Sequence, residues 1–182
     1  MRVLLTVALV ASLSASSALA ADRIGGPRLR PQDSRSALVL KEGAARSATF
    51  RALVDRIETS NVIVYIAVNR MLKSTLSGAL TWMTRAGEYR YVRASISTEL
   101  TFDQMIASVA HELQHALEVV EDESVIDERS LVAMYKRIGE PSRAAGPSGW
   151  ETLAAQRTGT QVRRELVNLP VTVIARASDR ES

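Results

Sequence analysis

The chain has 182 residues, a formal net charge of +3 at pH 7 and no cysteine. That length suffices for one domain with a buried core, while the lack of cysteine excludes disulfides and leaves stability to packing and to any bound metal. The basic residues are mostly arginines dispersed among Asp and Glu, a balance that argues against nucleic acid as partner and reads as a solvated, mixed surface.

Residues 1–20 read as a secretory signal peptide. Arg2 supplies the positive start, Val3–Ser12 is an apolar run too short to span a bilayer, and Ala18-Leu19-Ala20 is a small-x-small cleavage site. Cleavage leaves 162 residues with a formal charge of +2 and no stable membrane span. The expected destination is the periplasm or the medium. Residues 21–45, rich in Arg, Gly, Pro and Ser, lack helical periodicity and read as a mobile N-terminal segment, with a short strand over Ala37–Leu40 as its one candidate element. The folded domain is expected over residues 46–170, and the tail 171–182 reads as either a short strand or disorder.

Ser47 is placed to cap a helix whose inner face is Phe50, Leu53, Val54 and Ile57, at i, i+3, i+4, i+7. Val62–Val68 is apolar throughout and rich in β-branched residues, the pattern of a strand buried on both faces. Leu76–Met83 and Tyr89–Ser97 flank the turn Arg85-Ala86-Gly87-Glu88 and should form an antiparallel hairpin. Thr101 and Gln104 form a capping box that opens the next helix. Its apolar stripe runs through Phe102, Met105, Ile106, Val109, Leu113, Ala116, Leu117 and Val120. The acidic run Glu118–Glu123 reads as a solvated helix end. Asp127 caps a further helix with Leu131, Val132, Tyr135 and Ile138 on its inner face, stopped by Gly139 and Pro141. Arg143–Gly149 reads as a loop, and a last helix is expected from about Trp150 to Asn168. Together these predict an α+β domain. A small, mostly antiparallel sheet of three to four strands packs on the central helix, and two further helices follow it.

The central helix carries His111-Glu112-Leu113-Gln114-His115, and the chain has no other histidine. Four residues apart, the two imidazoles lie within ~40° of each other on a helix, one turn apart, on the side away from the apolar stripe. Glu112 is rotated by ~100°, beside them. Two neutral imidazoles at this spacing can hold Zn2+, and a neighbouring carboxylate can take a proton from a metal-bound water. This H-E-x-x-H pattern resembles the signature of the zincin metallopeptidases.

A third ligand must come from elsewhere. Glu118 shares the histidine face but lies ~10 Å along the helix from His111, too far for one metal to bind all three. Glu121 stands where an H-E-x-x-H-x-x-G-x-x-H pattern has its third ligand, but Glu118 occupies the position where that pattern needs Gly to turn the chain; it ranks second. Glu151, 36 residues after His115, ranks first. A glutamate on a second helix resembles the gluzincins, the thermolysin-like division of zincins, over roughly residues 101–169. Trp150 and Ala155 stand where the thermolysin pattern has Asn and Asp, so the resemblance is to a minimal gluzincin core. The small residues after Glu151 would let its helix come close to the motif helix. The alternative for Glu151 is a helix-capping box with Ser148.

The resemblance implies an exported zinc-dependent metallopeptidase that hydrolyses a peptide or protein substrate through a zinc-bound water activated by Glu112. Gluzincins use a Tyr or His to stabilise the oxyanion, and Tyr135 is the candidate; the alternative is core packing with Leu131 and Ile138. Zincins bind extended peptide along an edge strand above the motif helix, here Leu76–Met83 or Tyr89–Ser97. The competing reading is a catalytically weak or inactive zincin-like binding or structural module in the cell envelope; a third is hydrolysis of a non-peptide amide. No feature of the sequence specifies an oligomeric state.

Overall fold

The computed structural model describes residues 27–69, 72, 75–142 and 149–168. Residues 1–26, which include the segment read as a signal peptide, most of the 143–149 loop and the tail from residue 169 lie outside the described residues. The elements run β1 (Leu29–Pro31), α1 (Ser34–Arg46), α2 (Ala48–Glu58), β2 (Val62–Asn69), β3 (Gly78–Ala86), β4 (Tyr89–Ser97), α3 (Phe102–Glu121), α4 (Glu128–Ile138), β5 (Glu140–Pro141), β6 (Trp150–Glu151) and α5 (Leu153–Val167). This is an α+β fold.

Local sequence signals account for most of these elements. Ser47 caps α2, accepting from the Phe50 N–H, and the helix buries Phe50, Leu53 and Ile57. Thr101 and Gln104 make the capping box of α3, and Asp127 with Ser130 makes that of α4. The β3–β4 hairpin turns at Gly87, whose φ of 59° is the left-handed region that glycine reaches without a Cβ clash. On α4 the buried residues are Leu131 and Met134, whereas Val132 and Ile138 are exposed, so the expected inner face is rotated.

Larger departures lie in the N-terminal segment and in the sheet. The segment before residue 46 is not a featureless leader: β1 pairs in parallel with β2, and α1 is a 13-residue helix with an Asp33–Ser36 capping box. Ala37–Leu40 lies inside that helix rather than in a strand. Its periodicity is hard to see because its buried face is Ser36, Val39 and Gly43 while Leu38 is exposed. Gly43 lies so close to the Phe50 ring that a Cβ there would stand 2.7 Å from it. Packing against α2 therefore stabilises α1 more than any apolar stripe of its own.

The sheet is also not mostly antiparallel. Its order is β1-β2-β4-β3, with β1–β2 and β2–β4 parallel and only β3–β4 antiparallel. The hairpin joins β2 through its second strand. β4 offers Val92, Ala94 and Ile96, all fully buried, whereas the C-terminal half of β3 (Met83–Ala86) is exposed. Placing β4 inside and β3 at the edge buries the more apolar strand. A slip between Trp82 and Thr84 leaves Met83 as a bulge in β3.

The core lies between the sheet and α3. Val62, Val64 and Ile66 of β2 and Val92, Ala94 and Ile96 of β4 belong to one cluster with Met105, Ile106, Val109, Leu113 and Leu117. α3 contacts β2, β3 and β4 on this side and α1, α2 and α5 elsewhere, so it is buried nearly all round. Among the described residues no helix is long and apolar enough to cross a membrane.

The C-terminal end of α3 is held by a residue of the sheet. Arg90 at the start of β4 is buried, and its guanidinium donates to the carbonyls of Val119 at 2.6 Å and Asp122 at 2.7 Å, and to Asn61 Oδ1 at 2.7 Å. The last carbonyls of a helix have no partner within it, and a cation there also complements the helix dipole. Arg90→Ala should therefore leave buried carbonyls unsatisfied and destabilise the protein by about 3 kcal/mol, roughly a 10 °C fall in Tm by circular dichroism. A shift within about 2 °C would show that solvent replaces the guanidinium without loss.

Candidate metal centre

α3 sets the two imidazoles one above the other, with ring centroids 5.0 Å apart and planes at 80°. Glu151 approaches both. Its Oε2 lies 3.2 Å from His111 Nε2 and its Oε1 lies 3.4 Å from His115 Nε2. One ligand atom from each of the three residues falls within 4.8 Å of the others. A tetrahedral zinc with ligands at about 2.0–2.1 Å places its donor atoms roughly 3.4 Å apart. Two imidazole nitrogens and a carboxylate at these separations therefore suit zinc in both spacing and donor chemistry.

Glu151 does not open a helix. It lies in β6, whose backbone pairs with β5 in the register Glu140↔Glu151. The N-cap of α5 is Thr152, so Glu151 precedes the helix and has no capping-box role in it. Glu121 is not brought to the histidines: it is exposed and pairs with Arg56 at 2.5 Å. α3 simply continues through position 118 to Glu121, with no turn to carry the later carboxylate back.

The acidic run holds a residue that sequence reasoning assigned to solvent. Glu118 is buried, its Oε2 lies 2.8 Å from His115 Nδ1, and its Oε1 accepts from Thr152 Oγ1 at 2.5 Å. A carboxylate on the far ring nitrogen orients an imidazole and leaves Nε2 directed at a metal. Thr152 ties three things together. Its hydroxyl donates to Glu118 and accepts from the Ala155 N–H to cap α5, while its own N–H donates to Glu151 Oε1 at 2.9 Å. The signal for Glu118 was present in its place three residues after His115, on the same helical face. No local signal marks Thr152 beyond its propensity to cap.

α5 runs antiparallel to α3. Thr152 meets Glu118 near one end, Thr158 bonds Gln114 at 3.2 Å, and Glu165 meets Ser47 and Thr49 at the other. Of the small residues that follow Glu151 directly, Ala155 is buried and Ala154 exposed; the helices touch at Gly159, which sequence reasoning did not single out, where a Cβ would lie 3.4 Å from the Ala107 carbonyl and 3.4 Å from His111 Cβ.

Glu112 is buried, and its Oε2 has no hydrogen-bond partner among the described residues. Burial pushes its carboxyl above the ordinary carboxylate range, although the two histidines oppose this. It lines a cleft of about 770 Å³ together with His111, His115, Glu151 and Tyr135. A Cβ on Gly78, the first residue of β3, would stand 2.5 Å from Glu112 Oε1, so this glycine lets the strand close over the carboxylate. Tyr135 meets the His115 ring edge-on at a centroid distance of 5.3 Å. It packs on the core as well as lining the cleft. Burial raises its hydroxyl well above its ordinary pKa, with the nearby Glu112, Glu118 and Glu151 adding to the shift. Of the two strands considered for peptide binding, β4 is paired on both sides, while β3 is the sheet edge and lines the cleft.

Comparison of the chain with protein-family models, with curated proteins and with solved structures found no match.

Two carboxylates beside it make His115 an unusual base. Burial by itself would lower its pKa, but hydrogen bonds to Glu118 and Glu151 outweigh that and hold it up at about 10. Burial pushes Glu151 up, and bonds to His111 and His115 bring it down to about 2. A folded-state pKa above the unfolded value of about 6.5 means that His115 contributes stability below pH 6.5 and loses it as pH rises toward 10. In metal-free protein the His115 imidazole should titrate near pH 10 by NMR, readily assigned because the chain has two histidines. Zinc should displace that proton. Glu118→Gln should bring the titration down toward neutrality and weaken zinc binding about 10- to 100-fold by competition with a chromogenic chelator. An unchanged titration and affinity would remove Glu118 from the site.

Proposed function

We propose that this protein is an exported zinc-dependent metallopeptidase of zincin type. His111, His115 and Glu151 hold the metal, and Glu112 acts as general base. The observation that carries the reading is the convergence of these three ligand atoms within 4.8 Å beside a buried carboxylate whose Oε2 has no partner among the described residues. Export rests on the leader-like residues 1–20.

When bound, zinc supplies a Lewis acid that polarises a carbonyl and lowers the pKa of water toward about 7. The chain's own residues do the rest. Glu112, with its proton affinity raised by burial, suits a group that takes a proton from water and returns it to a leaving amine. Gly78 and the buried Ser108 wall in that carboxylate. Tyr135 keeps its proton across the physiological range and is available to donate to a developing oxyanion. The outer edge of β3, unpaired among the described residues, suits an extended peptide or protein segment that adds as a further strand. Peptide addition to an edge strand is what favours a peptide bond over a smaller amide.

Purified mature protein should hold about one zinc per chain by elemental analysis. On a fluorogenic peptide mixture, Glu112→Gln should keep the zinc and lose roughly 100- to 10,000-fold in turnover. Tyr135→Phe should lose roughly 100-fold in kcat with little change in KM. A protein that binds zinc while wild type and Glu112→Gln alike cleave nothing would be the binding module instead. A chain that takes up no zinc would sink the metal reading altogether.

A further inference from the structure

The face of α5 that borders the cleft carries Gln156, Gly159, Thr160 and Arg163. These positions follow the i, i+3, i+4, i+7 spacing of one helical face. Arg163 is the only Lys or Arg among the described residues lining the cleft, and it has no hydrogen-bond or ion-pair partner among the described residues. An arginine on this face is not simply part of the solvated charge of α5. Arg157 and Arg164 border an adjoining groove, which shares Gln156 and Thr160 with the cleft but not Arg163.

The placement of Arg163 along the cleft follows from the helix. Gly159 marks where α5 touches His111. Arg163 is four residues further on, about 6 Å along the axis, or roughly two residues of an extended chain. Because α5 is antiparallel to α3, that direction leads away from Glu151 and toward the N-terminal end of α3, where Gln104 also lines the cleft. The acidic groups lining the cleft, Glu112, Glu128 and Glu151, belong to the metal site or to the start of α4, so Arg163 is not neutralised from within its own end.

We infer that Arg163 is a specificity-determining residue that binds a substrate carboxylate about two residues from the bond cleaved. The inference rests on the peptidase reading above. A guanidinium offers paired N–H donors to a carboxylate, and such charge-assisted pairs are stronger than neutral ones. Two sources supply this chemistry: an internal Asp or Glu side chain, or the free C-terminal carboxylate of a short peptide.

The test uses zinc-loaded mature protein and sets of fluorogenic peptides that differ only in the group offered: internal Glu against Gln, and a free C-terminal acid against its amide. Wild type should prefer one carboxylate member by about tenfold or more in kcat/KM, and the pair that shows the preference identifies the source. Arg163→Ala should abolish that preference mainly through KM and leave the neutral peptides within about twofold. Arg163→Glu should shift the preference toward peptides with Lys at the same position. The inference is overturned if Arg163→Ala affects charged and neutral peptides alike. Fluorescence anisotropy with the same peptides, labelled, on zinc-loaded Glu112→Gln separates this outcome from failure of the peptidase reading. Selective binding of the carboxylate peptide that depends on Arg163, without turnover by wild type, sinks the peptidase reading and leaves the carboxylate subsite standing. Equal binding of both members, or binding of neither, sinks the subsite.

Discussion

The contact between α3 and α5 is what the site depends on. Gly159 brings α5 against His111, and Thr152 at the start of the same helix bonds Glu118 near the end of α3. The antiparallel approach carries β6, and Glu151 with it, to the open Nε2 atoms of the histidines. A Cβ at 159 would already touch the Ala107 carbonyl and His111 Cβ at 3.4 Å. Glu151 is therefore positioned by how closely two helices pack, as much as by its own backbone. Glu165 extends the same clamp by accepting from Ser47 and Thr49 at the start of α2.

The electrostatics of the site follow from that packing. Glu112 and Glu118 are buried, and Glu151 is partly buried, beside the two imidazoles. Burying carboxylates is unfavourable unless cations or donors compensate them. Without a metal, the compensation comes from a proton: His115 is held protonated well into the alkaline range by Glu118 and Glu151. A divalent cation held by His111, His115 and Glu151 would supply positive charge in place of that proton. A site in which a proton and a metal compete for one arrangement of ligands is preorganised for either.

Sequence reasoning succeeded where structure is local. Ser47, Thr101 and Asp127 cap the helices that their side chains predict, because a cap bond spans three residues. The β3–β4 hairpin formed at its glycine turn for the same reason. It failed where a choice depended on a distant partner. α1 buries Ser36, Val39 and Gly43 against a neighbour, so its inner face carries little hydrophobic contrast. The hairpin could join β2 through either strand, and alternation within each strand shows which face is buried, not which neighbour it takes.

The same division runs through the site. The i, i+4 spacing of His111 and His115 and the place of Glu112 beside them were determined by helix geometry once α3 was recognised, because 3.6 residues per turn relates them without reference to the rest of the chain. The choice of Glu151 over Glu121 was ranked from sequence, but only the tertiary structure turned Glu121 toward Arg56 and brought Glu151 to both imidazoles. It also withdrew Glu118 from solvent, gave Thr152 its central role and put β3 rather than β4 at the free edge. Each of these depends on residues 30 or more positions apart, or on sheet order, and periodicity along one element carries no information about such contacts.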